Sequence, residues 1–379
     1  MYLSSRTKVQ DSKGHRKTPR SHNVLISHRL SLHRTTMTKI LITGVTGYVG
    51  GAVLMRLAKR DDFDSFDIRC IVRSPDKAAK IETLYKNVKT IVGSHSDIAL
   101  MTQAASEVDM VLAMANCDDL DAVTGTLQGM KTRFEETGKQ PIFINTSGTG
   151  VLCNDAAETI WDDTNPDQIE TLEPTQPHRP GDLKIVAADA EGYVKTYIIL
   201  PALIWSIARG PLSDSGISNK KSVVIPALIR ASLDRGNAGM VGHGKYIWNN
   251  VEIHDLGDLY NLLFDAVLSP SANPGHGREG YYFGANEEHT MYQVGEAISE
   301  VMLNMNKGNG GAPTSFTKEE IEKYPIMAYL SYYIGSNSRC RANRSRALGW
   351  TPKNTTKDML ASIYAETELV IEIAASEKL

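Results

Sequence analysis

Four cysteines in 379 residues, Cys70, Cys117, Cys153 and Cys340, stand far apart with no Cys-x-x-Cys among them. Neither a disulfide framework nor a zinc ribbon is suggested. No group of His, Asp and Glu shows ligand spacing along the chain, so no metal is implied. Long apolar runs are also lacking. The longest, Tyr197 to Ala208, is broken by Pro201 and falls short of the ~20 residues that span a bilayer, and no secretory h-region precedes the fold. A large charge of one sign is missing overall: 41 Lys and Arg face 44 Asp and Glu, a formal −3. That balance hides an asymmetry. Residues 1–36 carry eight basic side chains and only Asp11 as an acid, leaving 33 basic against 43 acidic residues in the rest, a formal −10. A body of that sign is a poor generic binder of nucleic acid or anionic membrane. The expectation is a soluble cytoplasmic protein whose partner is a small-molecule substrate, with a homodimer left open.

The basic stretch 1–36 has no sustained apolar face and ends just before Met37-Thr38-Lys39. It reads as a mitochondrial transit peptide, as a disordered basic arm, or as an upstream extension with Met37 the true start. The third reading is favoured, because a Rossmann strand normally begins within a few residues of the initiator.

What is present begins at residue 40. Ile40-Leu41-Ile42 is short, apolar and β-branched, as a buried parallel strand should be. It runs into Thr43-Gly44-Val45-Thr46-Gly47-Tyr48-Val49-Gly50, after which Val49, Val53 and Leu57 recur at helical spacing. Strand, glycine turn and helix together point to a docked dinucleotide, where glycines alone would be a plain turn. Gly44 takes the tight turn, Gly47 lets backbone approach phosphate, and Gly50 permits close packing of helix on strand. The turn residues Thr46, Tyr48 and Val49 complete the anion site at the helix N-terminus. A second apolar run, Ile68 to Val72, ends in Arg73, where an NAD-preferring protein would place an acid to hold the ribose hydroxyls. A guanidinium there suits a 2′-phosphate, with Lys77 near it, so NADP is expected and NAD is the alternative. A solvated surface arginine is the bland reading.

Further runs at Val88–Val92, Met110–Met114, Pro141–Thr146 and Tyr193–Leu200 alternate with helical stretches, the signature of a doubly wound parallel α/β sheet. Hydroxyls and glycines, Thr146-Ser147-Gly148-Thr149-Gly150, follow the fifth run at the edge where such sheets bind ligands. Beyond Pro201 the pattern changes. Pro226 is expected to open a helix closed by Gly236, Asp255 to cap the next, and Thr290-x-x-Gln293 to form a capping box for a third. Residues 305–314 read as a mobile Gly/Asn-rich loop. Trp161, Trp205, Trp248 and Tyr282 either line a pocket or fill a core.

These residues resemble the extended short-chain dehydrogenase/reductases, the NAD-dependent epimerase and dehydratase family. The likeness runs from about Met37 to about Thr367. It is carried by the glycine triad, Thr146-Ser147, Leu200-Pro201-Ala202-Leu203-Ile204, Val251-Glu252-Ile253-His254-Asp255-Leu256 and Ala347-Leu348-Gly349-Trp350-Thr351-Pro352. The resemblance implies a dinucleotide-binding Rossmann domain over residues 37–205 and an interleaved substrate lobe over 206–379. It implies that Ser147 touches substrate, that Asn116 lies beside the coenzyme ribose, and that backbone near Leu203 meets the nicotinamide carboxamide.

One departure outweighs these matches. The family's proton-transfer tyrosine and the lysine four residues on are missing: the matching interval reads Gln176-Pro177-His178-Arg179-Pro180-Gly181-Asp182-Leu183-Lys184. The chain's own Tyr-x-x-x-Lys, Tyr85 to Lys89, comes too early to reach a nicotinamide ring. Two explanations follow. Either His178 replaces the tyrosine as acid and base, with Ser147 positioning a carbonyl or hydroxyl, or hydride transfer is lost and the nucleotide is kept as a structural element or redox signal. The leading expectation is an NADP(H)-dependent oxidoreductase or epimerase-like enzyme acting on a small organic carbonyl or alcohol. A catalytically silent NADP(H)-sensing regulator and a redox-neutral isomerase or lyase are the alternatives.

Overall fold

Ile40, Leu41 and Ile42 are completely buried, because the strand they form is covered on both faces by helices. The computed structural model describes residues 37–269 and 271–376; the reading of residues 1–36 lies outside the described residues. The central strand, β1 (Thr38–Thr43), pairs on one side with β2 (Phe66–Val72), which pairs with β3 (Val88–Val92). On its other side follow β4 (Met110–Ala113), β5 (Ile142–Thr146), β6 (Lys195–Pro201) and β7 (Tyr281–Gly284). All neighbours are parallel, in the order β7-β6-β5-β4-β1-β2-β3, with Ile40 opposite both Ile68 and Met110. The order reverses between β1 and β4. In open sheets of this kind, that reversal opens a crevice at the carboxyl edge. β6 runs one residue past its expected end: Pro201 is its last residue, where the missing N–H interrupts only the end of the ladder.

Helices α1 (Tyr48–Leu57), α2 (Pro75–Leu84), α3 (Ile98–Ser106), α4 (Leu120–Thr137) and α5 (Arg179–Ala190) cover the sheet. Three of them start on side-chain caps: Ser74 accepts from the Lys77 amide, Asp97 from Leu100 and Asp119 from Ala122. These caps fix the helix starts beside the carboxyl ends of the strands that precede them.

The second half of the chain builds a lobe around the strands Leu203–Trp205, Ile247–Glu252 and Glu288–Thr290, which form a separate sheet. Helices α6 (Val224–Arg235), α8 (Met291–Asn304), α9 (Pro325–Ile334) and α10 (Thr356–Ser376) belong to this lobe, whereas α7 (Ile253–Leu268) packs its Leu256, Leu259 and Leu263 into the core of the main sheet. Ile225, Leu228, Trp248, Ile298, Met327 and Ile363 belong to the lobe's core. The four aromatic side chains left open by the sequence are all buried. Two helix starts differ from expectation. α6 begins two residues before Pro226, which is tolerated in the first turn because its amide would be unpaired there anyway. The cap of α7 is Glu252, whose carboxylate accepts from the amides of His254 and Asp255. Asp255 is engaged elsewhere, since its carboxylate accepts from the amides of Lys353 and Asn354 while its carbonyl accepts from Trp350 Nε1 at 2.7 Å. The capping box of Thr290 and Gln293 is formed as expected.

A Cβ on Gly50 would lie 2.3 Å from the Gly44 carbonyl oxygen, which belongs to rigid backbone. Gly50→Ala is expected to cost about 2–3 kcal/mol. Gly192→Ala, at a left-handed glycine with open space around it, is expected to cost about 1–2 kcal/mol. Chemical denaturation checks the order; equal losses would remove the close approach as the reason for glycine at position 50.

Candidate active site at the carboxyl edge of the sheet

The glycine turn closes on one atom. The Gly44 carbonyl accepts the Gly47 amide at 2.8 Å, and Gly44 itself sits at φ +82° with its α-carbon pressed against the backbone of Met114. A side chain there would need both a left-handed backbone and space that β4 occupies. Gly47 is the N-cap residue of α1 and supplies no capping side chain, so the first-turn amides of the helix are left to an anion. Thr46 and Val49 are half-buried in the turn, and the Thr46 carbonyl is taken by the Asn219 amide at 3.2 Å. Tyr48 points away from the turn into the lobe. Its hydroxyl lies within hydrogen-bond distance of the carbonyls of Trp205 and Ser206, 2.9 and 2.7 Å away. Burial, with Glu366 and Glu252 nearby, raises its pKa well above the ordinary value. The same tie fixes the strand containing Leu203, itself buried, against the start of α1.

Arg73 is exposed immediately after β2, and no hydrogen bond or ion pair engages it among the described residues. Asn116 is exposed after β4, where its side-chain oxygen accepts the Asp118 amide at 3.2 Å. Arg73 and Asn116 thus stand beyond the ends of β2 and β4, the strands that flank β1.

His178 lies at the N-cap of α5 with φ +67°, a left-handed conformation that is costly for a residue with a Cβ. Its Nδ1 is 2.7 Å from Asp118 Oδ1 and 3.2 Å from Cys117 Sγ. Burial disfavours its charge, but the bonds to Asp118 and Cys117 outweigh that effect and push its pKa up to about 10. The hydrogen bond to His178 in turn holds Asp118 below the usual carboxylate range, against burial. A carboxylate acceptor assigns the proton to Nδ1 and leaves Nε2 as the working nitrogen. Nε2 faces the loop after β5. A Cβ on Gly148 or Gly150 would come within 3.4 or 3.1 Å of it, so the glycines in that loop keep side chains away from the imidazole.

One helical turn after His178 comes Asp182, almost fully buried, and Ser147 Oγ donates to it at 3.0 Å. Burial pushes the Asp182 carboxyl up to about 7. The fold therefore brings Ser147, His178 and Asp182 to the same edge. α9 closes the cluster from the lobe: Tyr333 stacks on the His178 ring with centroids 5.9 Å apart, and its hydroxyl lies 2.8 Å from that of Tyr329, which reaches Asp118 at 3.4 Å.

Asp118, Cys117 and the two tyrosines were not singled out from the sequence. Asp118 stands two residues after Asn116, so the end of β4 was the available signal; the tyrosines carried none, because they reach the site only by tertiary packing. Among the described residues Cys117, Asp118 and His178 also offer ligand-type atoms within 4.8 Å of one another, a grouping that chain spacing hides. Cys117 and Asp118 both converge on one imidazole nitrogen, as hydrogen-bond partners.

Sheet order and lobe give the chain the fold of epimerases and dehydratases of known structure. Known proteins agree in fold. Residues 36–131 match the NmrA-like family. The chain is 25% identical to an oxidase, ucsJ, of Acremonium sp over 334 residues, 83% of this chain and 92% of that protein. It is 25% identical to an uncharacterized protein of Saccharomyces cerevisiae over 238 residues, 60% of this chain and 70% of the relative. Among solved structures, UDP-glucose 4-epimerase of Thermotoga maritima with UDP-glucose superposes with a TM-score of 0.59 at 15% identity, over 88% of this chain and 100% of that one. The dTDP-glucose 4,6-dehydratase of Bacillus anthracis in complex with NAD gives 0.58 at 15% identity, over 87% and 96%. The fold is that of nucleotide-binding oxidoreductases and epimerases. Among the described residues no helix is long and apolar enough to cross a membrane.

A Cβ on Gly47 would stand 3.0 Å from the Gly44 carbonyl oxygen, at the residue that caps the start of α1. Gly47→Val is expected to abolish dinucleotide binding in a protein that still folds. Calorimetry with NADPH and NADH checks this; unchanged affinity would remove the turn from the binding account.

Proposed function

We propose that this chain is an NADP(H)-dependent oxidoreductase or epimerase-like enzyme for small organic carbonyls or alcohols, in which His178 does the work of the missing tyrosine. The observation that carries the reading is the Asp118–His178 hydrogen bond at the start of α5, which fixes the imidazole and directs Nε2 to the loop after β5. Bound coenzyme would supply or accept the hydride. The protein's own part is the proton: an imidazolium with a pKa of about 10 is charged at neutral pH and donates to the oxygen of a carbonyl being reduced. Ser147 stands at the same edge to position that oxygen. The first-turn amides of α1 face the pyrophosphate, Asn116 the ribose, and backbone at Leu203 the carboxamide. Arg73, unpaired and exposed, supports a 2′-phosphate and hence NADP. Asp182 in the lysine position removes a cation from the ribose, so the coenzyme depends the more on the turn. The relatives described as an oxidase, an epimerase and a dehydratase support redox or epimerase chemistry in this fold.

Turnover of NADPH against a panel of aldehydes, ketones and dicarbonyls tests the reading. His178→Ala is expected to lower kcat by about 10²–10⁴-fold with coenzyme affinity unchanged; full activity would eliminate the imidazole. Because His178 donates as the cation, carbonyl reduction should hold steady at neutral pH and fall as pH rises through about 10. Oxidation of the alcohol, which needs the neutral base, should rise over the same range. Asp118→Asn removes the charge that holds the proton and should move both limbs to lower pH. An unmoved profile would sink the dyad.

Coenzyme preference is a separate matter. Arg73→Asp is expected to shift the ratio of affinities from NADP toward NAD, and an unaltered ratio would place the phosphate elsewhere. The packing of Tyr333 on His178 and the use of the Ser147 hydroxyl by Asp182 favour a second reading, a silent NADP(H) sensor. It is selected by tight coenzyme binding without turnover on the whole panel.

A further inference from the structure

Within the lobe lies a cavity of about 680 Å³, in the size range of small-molecule sites. None of its lining residues belongs to the glycine turn, to the ends of β2, β4 and β5, or to the His178 cluster. It is bounded by the segment 213–223, by one face of α6, by the start of α9 and by the end of α10.

Its walls are of two kinds. Ala227, Met327, Val370 and Ile373 form an apolar side, whereas Ser218, Lys220, Lys221 and Ser222 form a polar one. Ser218 and Ser222 are buried, and the Ser218 side chain packs against Gly51 of α1. Lys220 and Lys221 are half-buried beside them, and no hydrogen bond or ion pair engages either ammonium among the described residues. The carboxylate at the rim, Glu372, is exposed to solvent, which screens it. Two ammonium groups beside apolar side chains are complementary to a negative head on an apolar body.

We propose that this cavity binds an amphipathic organic anion, its carboxylate, sulfonate or phosphate head held by Lys220 and Lys221 and its apolar body against Ala227, Met327, Val370 and Ile373. The proposal goes beyond the reading of the His178 site and does not depend on it. A cation of the same shape would meet two like charges, and inorganic phosphate would leave the apolar side unfilled.

The test uses the full chain and the fluorescent probe 1-anilinonaphthalene-8-sulfonate. One equivalent should bind with enhanced emission, displaced by dodecanoate but not by dodecyltrimethylammonium or inorganic phosphate. Ala227→Trp, which fills the chamber, and the double change Lys220→Glu with Lys221→Glu should each weaken probe binding by about tenfold or more without changing Tm. Should Ala227→Trp fail to fold, the lysine pair carries the test. Parent-like affinity in the lysine variant, equal displacement by the cationic surfactant, or several equivalents of bound probe would overturn the proposal.

Discussion

The carbonyl oxygen of Gly44 is crowded from several sides, and the crevice at the sheet's carboxyl edge exists because glycine tolerates that crowding. The Gly47 amide closes on it, the α-carbon of Gly50 is packed over it, and the residue that carries it is wedged between β1 and the end of β4. Any side chain at Gly44 or Gly50 would separate the start of α1 from the sheet. With that separation, first-turn amides would no longer stand above the point where strand order reverses, and Asn116, Cys117 and Asp118 would lose their place beside the turn. One close approach of backbone to backbone therefore sets both halves of the site.

On the other half, a change of residue type has inverted the local electrostatics. A tyrosine and lysine one helical turn apart present a neutral acid and a permanent cation; His178 and Asp182 present a cation and a buried carboxyl. The cation is sustained by Asp118, which reaches it from the end of β4 rather than from the same helix. Burial alone would neutralise His178, and the carboxylate outweighs it. Asp182 is turned to Ser147.

Much of the scaffold was legible because it rests on local rules. β1 to β5 followed from apolar runs, and the Thr290 capping box from a four-residue pattern. The errors came where tertiary contacts overrode local ones. Asp255 has the chemistry of a cap but is claimed by the amides of Lys353 and Asn354, about a hundred residues away, so Glu252 caps the helix instead. That contact also explains why two distant motifs, around Asp255 and around Trp350, occur in one chain: they are the two sides of a single junction. In the same way His178 could be picked out as the one imidazole near the missing tyrosine, whereas Asp118, Cys117 and Tyr333 belong to other elements and become neighbours only when the sheet edge and α9 meet.

α9 joins the two regions of the lobe that have unusual chemistry. Ile326 and Met327, at its start, line the cavity; Tyr329 and Tyr333, further along, reach Asp118 and stack on His178. A ten-residue helix is about 15 Å long, so the two regions are one helix length apart. The segment at the cavity's opposite wall has a comparable double contact, since the Asn219 amide is bonded to the Thr46 carbonyl of the glycine turn and Ser218 lies against Gly51. Occupancy of the cavity and order in the coenzyme site thus share two structural elements.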